Sequence, residues 1–236
     1  MRATIYLIPI VLHDDEAALY SIPSYITDAV KQCSVFYVEN ERTARRFLKK
    51  IWKEINIDDY AWHTIHKAEN GVLNNFKQDI AQQKIIGIMS EAGCPGIADP
   101  GQLLVNIAQQ NNAKLIPLVG PNSIILALMA SGMNGQCFQF VGYLPVETHE
   151  RKKKITELES ESIKKSCTQI FIETPYRNNQ LLNDILTTAK AETLLCIAVD
   201  ITASTESIQT KKISEWKKQQ LNLHKRPSIF LLYAGT

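Results

Sequence analysis

The sequence lacks the patterns that mark disulfide frameworks, zinc sites and membrane spans. Its five cysteines are odd in number, scattered, and form no Cys-x-x-Cys pair, so we expect reduced, buried thiols. No apolar run approaches the length of a membrane-spanning helix, and the apolar run at the start is too short for a signal peptide. The sequence therefore predicts a cytoplasmic protein with no metal site and no membrane association.

Two nucleotide-binding signatures are also absent. Neither Gly-x-Gly-x-x-Gly nor a P-loop ending in Gly-Lys-Ser/Thr occurs, which disfavours a dehydrogenase or a kinase. The formal net charge of +2 does not indicate a nucleic-acid partner, which would need a local basic patch. Each of two basic patches is either a solvated helix face or a contact for phosphates. One comprises Arg42, Arg45, Arg46, Lys49 and Lys50, and the other is residues 151–154.

Up to residue 118, short apolar runs alternate with longer amphipathic segments, which is typical of an α/β domain built on a mainly parallel sheet. Strands are predicted over residues 4–8, 34–38, 61–65, 84–89, 113–118, 138–141, 167–172, 194–199 and 228–233. Helices are predicted over 41–53, through Leu73, Phe76 and Ile80, and over 102–110, 124–131, 147–162 and 178–189. The Val-Gly-Pro-Asn-Ser segment at 119–123 separates two predicted α/β domains, residues 1–119 and 120–236.

The loop at residues 90–101 is rich in glycine and proline, with three glycines and two prolines in twelve residues. It follows a predicted strand and precedes a predicted helix, which is where ligands bind in open α/β sheets. On the residues alone, a ligand loop and a turn that merely needs positive φ are equally good interpretations.

This loop reads Ser-Glu-Ala-Gly-Cys-Pro-Gly-Ile-Ala-Asp-Pro-Gly. It closely resembles the Ser-Asp-Ala-Gly-Thr-Pro-Gly-Ile-Ser-Asp-Pro-Gly signature of the tetrapyrrole methylase superfamily. Within that superfamily it is most similar to the branch that methylates the ribose 2′-hydroxyl of a cytidine in small-subunit ribosomal RNA. Four further segments match that branch in the same order, at residues 117–123, 138–145, 173–177 and 227–229.

The resemblance implies two α/β domains with S-adenosylmethionine in a cleft between them. It also implies a homodimer and a ribosomal RNA or small-ribosomal-subunit partner. Cofactor contacts are implied at the positions that match the motifs: Glu91, Ala92, Gly93, Pro95, Gly96, Ile97, Pro121, Ser123, Phe140, Pro227, Ser228 and Ile229.

Transfer of a methyl group to a ribose hydroxyl would be helped by a general base, because the hydroxyl is a poor nucleophile. The acidic candidates are Glu39, Glu91, Asp99 and Glu173. We favour Glu39 and Glu173 as catalytic residues, since each lies near a predicted strand end with an arginine close by, Arg42 and Arg177 respectively. An ordinary salt bridge or a helix cap is the alternative for each.

The chain departs from the branch in three segments. Residues 9–15 read Pro-Ile-Val-Leu-His-Asp-Asp in place of Pro-Thr-Pro-Ile-Gly-Asn-Leu, Asn40 and Glu41 replace Asp-Thr, and Ala203 replaces a lysine. The cofactor side is therefore kept and the substrate side altered. Two alternatives follow: a methyltransferase of a small, tetrapyrrole-type molecule, whose usual Gly-Asp-Pro loop is absent here, and a cofactor-binding paralogue without catalysis.

Overall fold

The computed structural model of the chain describes residues 2–65 and 70–235. It divides into two compact units, residues 1–122 and 123–236, each with its own sheet. Both units combine strands with helices, so the predicted α/β class is confirmed. Within the described ranges, no helix is long and apolar enough to cross a membrane.

The first unit is built on a five-stranded sheet in which every pair of neighbours is parallel. Its order is β3-β2-β4-β1-β5. The strands are β1 (Thr4–Ile8), β2 (Val35–Val38), β3 (Ala61–Thr64), β4 (Ile85–Met89) and β5 (Lys114–Pro117), and the helices are α1 (Ile26–Gln32), α2 (Glu41–Ile51), α3 (Asn70–Ala81) and α4 (Gly101–Gln110).

Strand β2 shows why this unit needs helices on both faces of its sheet. All four of its residues are buried. Phe36 and Val38 point into one apolar cluster, whereas Val35 and Tyr37 point into the other. A strand that is apolar throughout is typical of a parallel sheet, because both of its faces are covered.

The second unit has a five-stranded sheet of order β6-β7-β10-β8-β9. Only β6 and β7 are parallel, and the other neighbours are antiparallel. The elements are α5 (Ser123–Ser131), β6 (Phe138–Tyr143), α6 (Thr148–Lys165), β7 (Thr168–Ile172), α7 (Asn178–Thr188), β8 (Leu194–Val199), β9 (Ser207–Lys212), α8 (Ile213–Trp216) and β10 (Ser228–Tyr233). The sequence did not predict β9, because this edge strand is polar and lacks an apolar run.

One of the basic patches proposed from the sequence is partly internal. Arg151, in the first turn of α6, is 1% exposed, and its Nε donates to Asp184 Oδ2 of α7 at 2.8 Å. Its Nη1 donates to the carbonyl oxygen of Pro145. A buried, hydrogen-bonded guanidinium cannot reach a phosphate at the surface, so the hypothesis is wrong for Arg151. Breaking such a buried pair by removing one partner costs about 3–5 kcal/mol.

The packing of the sheet in the first unit can be tested at two glycines, Gly87 and Gly71. A Cβ on Gly87 would lie 2.5 Å from the ring of Phe36, whereas one on Gly71 in α3 would meet nothing within 4 Å. We expect Gly87→Ala to lower the free energy of unfolding by about 1–3 kcal/mol through overpacking, measured by urea denaturation. Gly71→Ala is the matched control and should leave stability unchanged or slightly raised. Equal effects of the two substitutions would contradict this account of β4.

Candidate functional site

The carboxyl edge of the first sheet brings together loops that are distant in sequence. Because β1 lies between β4 and β5, the loops after these three strands are neighbours. The loops after β1 and β4 also pair directly: the N–H of Ile10 donates to the oxygen of Gly93 at 2.9 Å, and the N–H of Gly93 donates to the oxygen of Ile10 at 3.0 Å. The altered segment at residues 9–15 is therefore attached to the glycine-proline loop.

The glycine-proline loop is shaped by two of its own side chains. The Ser90 hydroxyl donates to the oxygens of Ala92 and Gly93 at 3.1 and 3.3 Å. The Asp99 carboxylate accepts from the N–H of Gly96 at 2.8 Å and, through its other oxygen, from that of Gly101 at 2.6 Å. Asp99 therefore closes the loop onto the start of α4. The sequence offered it only as a candidate base, although an Asp near Gly and Pro is a turn signal.

The same loop presents backbone and apolar groups to solvent. Gly93 and Gly96 have φ of +72° and +83°, which glycine adopts without strain. Glu91, Ala92 and Ile97 are exposed, with Ile97 at 49%. The loop carries no cationic side chain. An exposed apolar side chain and the absence of a cation fit a ligand that carries a positive sulfonium and an adenine, as the resemblance implies for S-adenosylmethionine.

The loop after β5 packs against the same region. The Cys94 thiol donates to the carbonyl oxygens of Gly120 and Pro121 at 3.6 and 3.4 Å. A Cβ on Gly120 would lie 2.2 Å from Pro9 Cβ, so only glycine fits there. Burial raises the pKa of the Cys94 thiol. Pro121, predicted as a cofactor contact, is thus joined to the glycine-proline loop.

Glu39, the first candidate catalytic residue, lies just after β2 and touches the same loop. Its Oε2 accepts from the N–H of Glu91 at 2.8 Å. The next residue, Asn40, caps α2 by accepting from Thr43 N–H at 3.2 Å, and its Nδ2 donates to Glu91 Oε1 at 3.3 Å. Arg42 is exposed on α2. Within the part of the chain that the structure describes, its side chain makes no hydrogen bond or ion pair.

A pocket of about 290 Å³ lies between residues 10–14, helix α2 and the start of the glycine-proline loop. Asp14 lines it and accepts from Arg46 Nη1 and Lys50 Nζ of α2, each at 2.7 Å. The altered segment is thus held onto α2 by one carboxylate shared between two cations.

Most cations of the basic helix therefore have partners inside the first unit. Besides Arg46 and Lys50, Lys49 donates to the oxygen of Ile55, and Arg45 pairs with Glu41. Among the described residues, Arg42 is the one of the five proposed phosphate contacts on this helix whose side chain has no partner within the unit.

The other candidate pair, Glu173 and Arg177, lies in the second unit, where β7 ends. Glu173 Oε1 accepts from Arg177 Nε and Nη2 at 3.0 and 2.6 Å and from the N–H of Thr174 at 2.6 Å. The Glu173 side chain is 1% exposed. A buried carboxylate with three donors on one oxygen is chiefly an ion pair that fixes the turn after β7, so the salt-bridge interpretation gains weight.

The remaining predicted cofactor residues also lie in the second unit. Ser123 begins α5, and Phe140 lies at an irregularity in the pairing of β6 with β7. Ser228 and Ile229 are buried at the start of β10, beside the end of β7 because Ile229 pairs with Ile172. Pro227 is exposed and accepts from the N–H of Asp200 at 2.9 Å. Their contact with a cofactor stays a prediction.

The turn that has Ala203 in place of a lysine has another cation beside it. The Arg226 guanidinium donates to Asp200 Oδ2 through Nε and Nη2 at 2.8 and 2.7 Å, and to the oxygen of Thr205 at 3.0 Å. Asp200 and Thr202 have φ of +50° and +73°, a strained conformation for residues other than glycine. Strain of this kind is concentrated at functional sites.

No family model matches the chain. Among curated proteins, ribosomal RNA small subunit methyltransferase I of Vibrio cholerae is 36% identical over 151 residues, covering 63% of this chain and 51% of that protein. The same-named protein of Buchnera aphidicola subsp. Schizaphis graminum is 36% identical over 173 residues, covering 72% and 58%. That of Halalkalibacterium halodurans is 28% identical over 183 residues, covering 73% and 61%. The chain thus spans between half and two thirds of the length of these relatives.

Two solved structures share the fold over nearly the whole chain. The methyltransferase CobJ has a TM-score of 0.62 at 12% identity, covering 98% of this chain and 93% of that one. Uroporphyrin-III-C-methyltransferase from Thermus thermophilus has a TM-score of 0.56 at 12% identity, covering 99% and 93%. At this identity the likeness concerns the fold alone.

Two carboxylates of the first unit have pKa values shifted in opposite directions. Burial raises the pKa of Asp99 above its ordinary value of 3.8, and outweighs the backbone hydrogen bonds that lower it. Hydrogen bonds from Lys50 and Arg46 hold the pKa of Asp14 below 3.8. The stability contribution of Asp99 is therefore full below pH 3.8 and lost as the pH rises through its raised pKa. That of Asp14 is full above pH 3.8 and lost as the pH falls through its lowered pKa.

We expect Asp99→Asn and Asp14→Asn to change the pH dependence of the free energy of unfolding in opposite senses. Relative to the unsubstituted chain, Asp99→Asn should gain stability as the pH rises, and Asp14→Asn should gain stability as the pH falls. Urea denaturation at a series of pH values from acid to neutral measures both. A shift in the same sense for the two variants would refute the assigned burial of Asp99 or the ion pairs of Asp14.

Proposed function

We propose that the chain is a member of the tetrapyrrole methylase superfamily and an S-adenosylmethionine-dependent methyltransferase that acts on a ribose 2′-hydroxyl of small-subunit ribosomal RNA. The relatives named for methylation of this RNA support the acceptor. The single observation that carries the proposal is the glycine-proline loop, closed by Asp99 and fastened to Glu39 at the carboxyl edge of a parallel sheet.

The residues that would hold the cofactor in the first unit are Glu91, Ala92, Gly93, Pro95, Gly96, Ile97 and Pro121. When bound, S-adenosylmethionine supplies a methyl group activated by its sulfonium. The chain's own task is to align the acceptor hydroxyl with that methyl carbon and to exclude water. Glu91 and Ala92 are exposed residues of this loop, and the exposed Ile97 offers apolar surface. The resemblance adds Ser123, Phe140, Pro227, Ser228 and Ile229 of the second unit.

Glu39 is the stronger of the two candidate bases. Its carboxylate touches the glycine-proline loop through the N–H of Glu91, whereas Glu173 is buried in its pair with Arg177. The Glu173 side chain is only 1% exposed, so its carboxylate is not accessible to an acceptor hydroxyl. We therefore propose that Glu39 accepts the hydroxyl proton and that Glu173 and Arg177 act as positioning residues.

The partner, the assembly and the compartment follow from the same proposal. Arg42 and the exposed Lys153 are available for RNA phosphates, since neither has an ion-pair partner within the described ranges. A ribosomal substrate implies work in the cytoplasm. The resemblance alone supports a homodimer, which light scattering of the purified chain would test.

A second candidate is a cofactor-binding protein without catalysis. The observation that favours it is the docking of residues 9–15 onto α2 through Asp14, since this segment replaces one that faces substrate or cofactor in the branch. The small-molecule alternative is weaker, because the tetrapyrrole methyltransferases among the solved structures share only the fold at 12% identity.

Calorimetry with S-adenosylmethionine tests the cofactor, and incubation of small ribosomal subunits with cofactor labelled in its methyl group tests the acceptor. We expect saturable binding and label that nucleoside analysis recovers on a ribose 2′-oxygen. Absence of binding at millimolar cofactor would overturn both candidates. Binding without label transfer would favour the protein without catalysis.

The role of Glu39 is tested by Glu39→Gln, which keeps an oxygen to accept from the N–H of Glu91. We expect cofactor affinity within about twofold of the unsubstituted chain and turnover lowered by about 10²- to 10⁴-fold, as for removal of a general base. Glu41→Gln is the matched control, because Glu41 lies two residues away and pairs with Arg45 on the helix surface. Unchanged turnover of Glu39→Gln would exclude Glu39 as the base.

A further inference from the structure

An exposed tyrosine lies between the residues of the Glu173–Arg177 pair. Tyr176 is 68% exposed in the turn after β7. The His224 ring meets it edge-on, with centroids 5.8 Å apart and planes at 74°. The Lys225 ammonium lies over its ring at 5.8 Å from the centroid. These three residues, which we call the Tyr176 cluster, combine an open aromatic surface with a cation, and the cofactor chemistry uses none of them.

The backbone beneath the Tyr176 cluster is held firmly. The N–H of Lys225 donates to the oxygen of Pro175 at 3.0 Å, which joins the two turns that carry the cluster. Asn178 Nδ2, from the buried first residue of α7, donates to the oxygen of Arg226 at 2.7 Å. Lys225 itself has a φ of +62°, a conformation that a lysine keeps only when its surroundings impose it. The backbone positions from which the Tyr176 ring and the Lys225 side chain project are therefore fixed relative to each other.

Cations flank the cluster on both sides in sequence. Arg177 follows Tyr176, and Arg226 follows Lys225, with side chains 35% and 34% exposed. Each keeps an accessible part while pairing with a carboxylate, Glu173 or Asp200. An exposed aromatic face beside cations is the arrangement on which proteins stack unpaired nucleobases, while the cations meet the adjoining phosphates.

We propose that the Tyr176 cluster is a binding site for one unpaired nucleobase of a single-stranded RNA, which stacks on Tyr176 while Lys225 contacts a neighbouring phosphate. The inference deepens the proposed function and rests on it for the identity of the RNA. It assigns substrate recognition to a residue beside the Glu173–Arg177 pair. The competing explanation is that Tyr176 only provides a packing surface for His224 and Lys225.

The test is the affinity of a short fluorescent single-stranded oligoribonucleotide, measured by anisotropy, with an abasic version of the same strand as a second probe. We expect Tyr176→Ala to weaken binding of the intact strand by about tenfold, the effect typical of losing one stacked base. Tyr176→Phe keeps the ring and should stay within about twofold. Tyr20→Ala is the matched control, because Tyr20 is 94% exposed in the first unit.

Two further measurements distinguish stacking of a base from attraction between charges and from local packing of the Tyr176 ring. Lys225→Gln should weaken binding and lower the slope of log affinity against log salt by about 0.7, the value for one phosphate contact on a single strand. The abasic strand should bind the unsubstituted chain and Tyr176→Ala alike. The proposal is overturned if the intact strand does not bind the unsubstituted chain, if Tyr176→Ala binds it as tightly, or if the abasic strand shows the same loss.

The proposed function is judged separately. Cofactor calorimetry on Tyr176→Ala should match the unsubstituted chain, because the cluster is not part of the cofactor loop. If the cofactor binds and ribosomal subunits are methylated while Tyr176→Ala keeps full oligonucleotide affinity, the stacking site is wrong and the methyltransferase stands. If no cofactor binds but Tyr176→Ala weakens binding of the intact strand, the stacking site stands and the methyltransferase proposal is wrong.

Discussion

The parallel placement of β1 between β4 and β5 is the constraint on which the first unit's candidate site depends. It brings the loops after β1, β4 and β5 to one edge, where the paired Ile10 and Gly93 join two of them and Cys94 reaches the third. Side chains finish the arrangement. Asp99 closes the glycine-proline loop from inside, and Glu39 fastens it to the end of β2. Hydrogen bonds of this kind would favour ligand binding, because a loop that is already held in place loses less conformational entropy when a ligand binds to it.

In both units, cations that pair with carboxylates stay partly exposed. In the first, four of the five cations on α2 have partners within that unit, and the Arg45 and Arg46 side chains are still 40% and 50% exposed. In the second, Arg177 and Arg226 pair with carboxylates yet keep about a third of their side chains exposed. An arginine has five donors in a fixed fork, so it can hold a carboxylate and still present an edge to another anion. The second unit therefore carries accessible cations beside strained turns.

Two of the segments that depart from the branch, residues 9–15 and the turn at Ala203, are held or flanked by ion pairs within their own units. Residues 9–15 pair with Gly93 through the backbone of Ile10, and Asp14 docks the segment onto α2. The position of Ala203 has lost a lysine, while Arg226 occupies the adjoining turn. In the first unit, Asp99 closes the glycine-proline loop beside the departing segment.

Local patterns in the sequence determined the α/β class, most of the strands and the position of the glycine-proline loop, because apolar runs and glycine-proline turns depend on neighbouring residues. The order of the motifs carried the resemblance to the superfamily. Only the tertiary structure decided that Arg151 is buried against Asp184, that polar β9 extends a sheet, and that Asp14 pairs with both Arg46 and Lys50. In each case the deciding partner belongs to another helix or strand, and a charged side chain shows the same letter whether it meets water or a buried carboxylate.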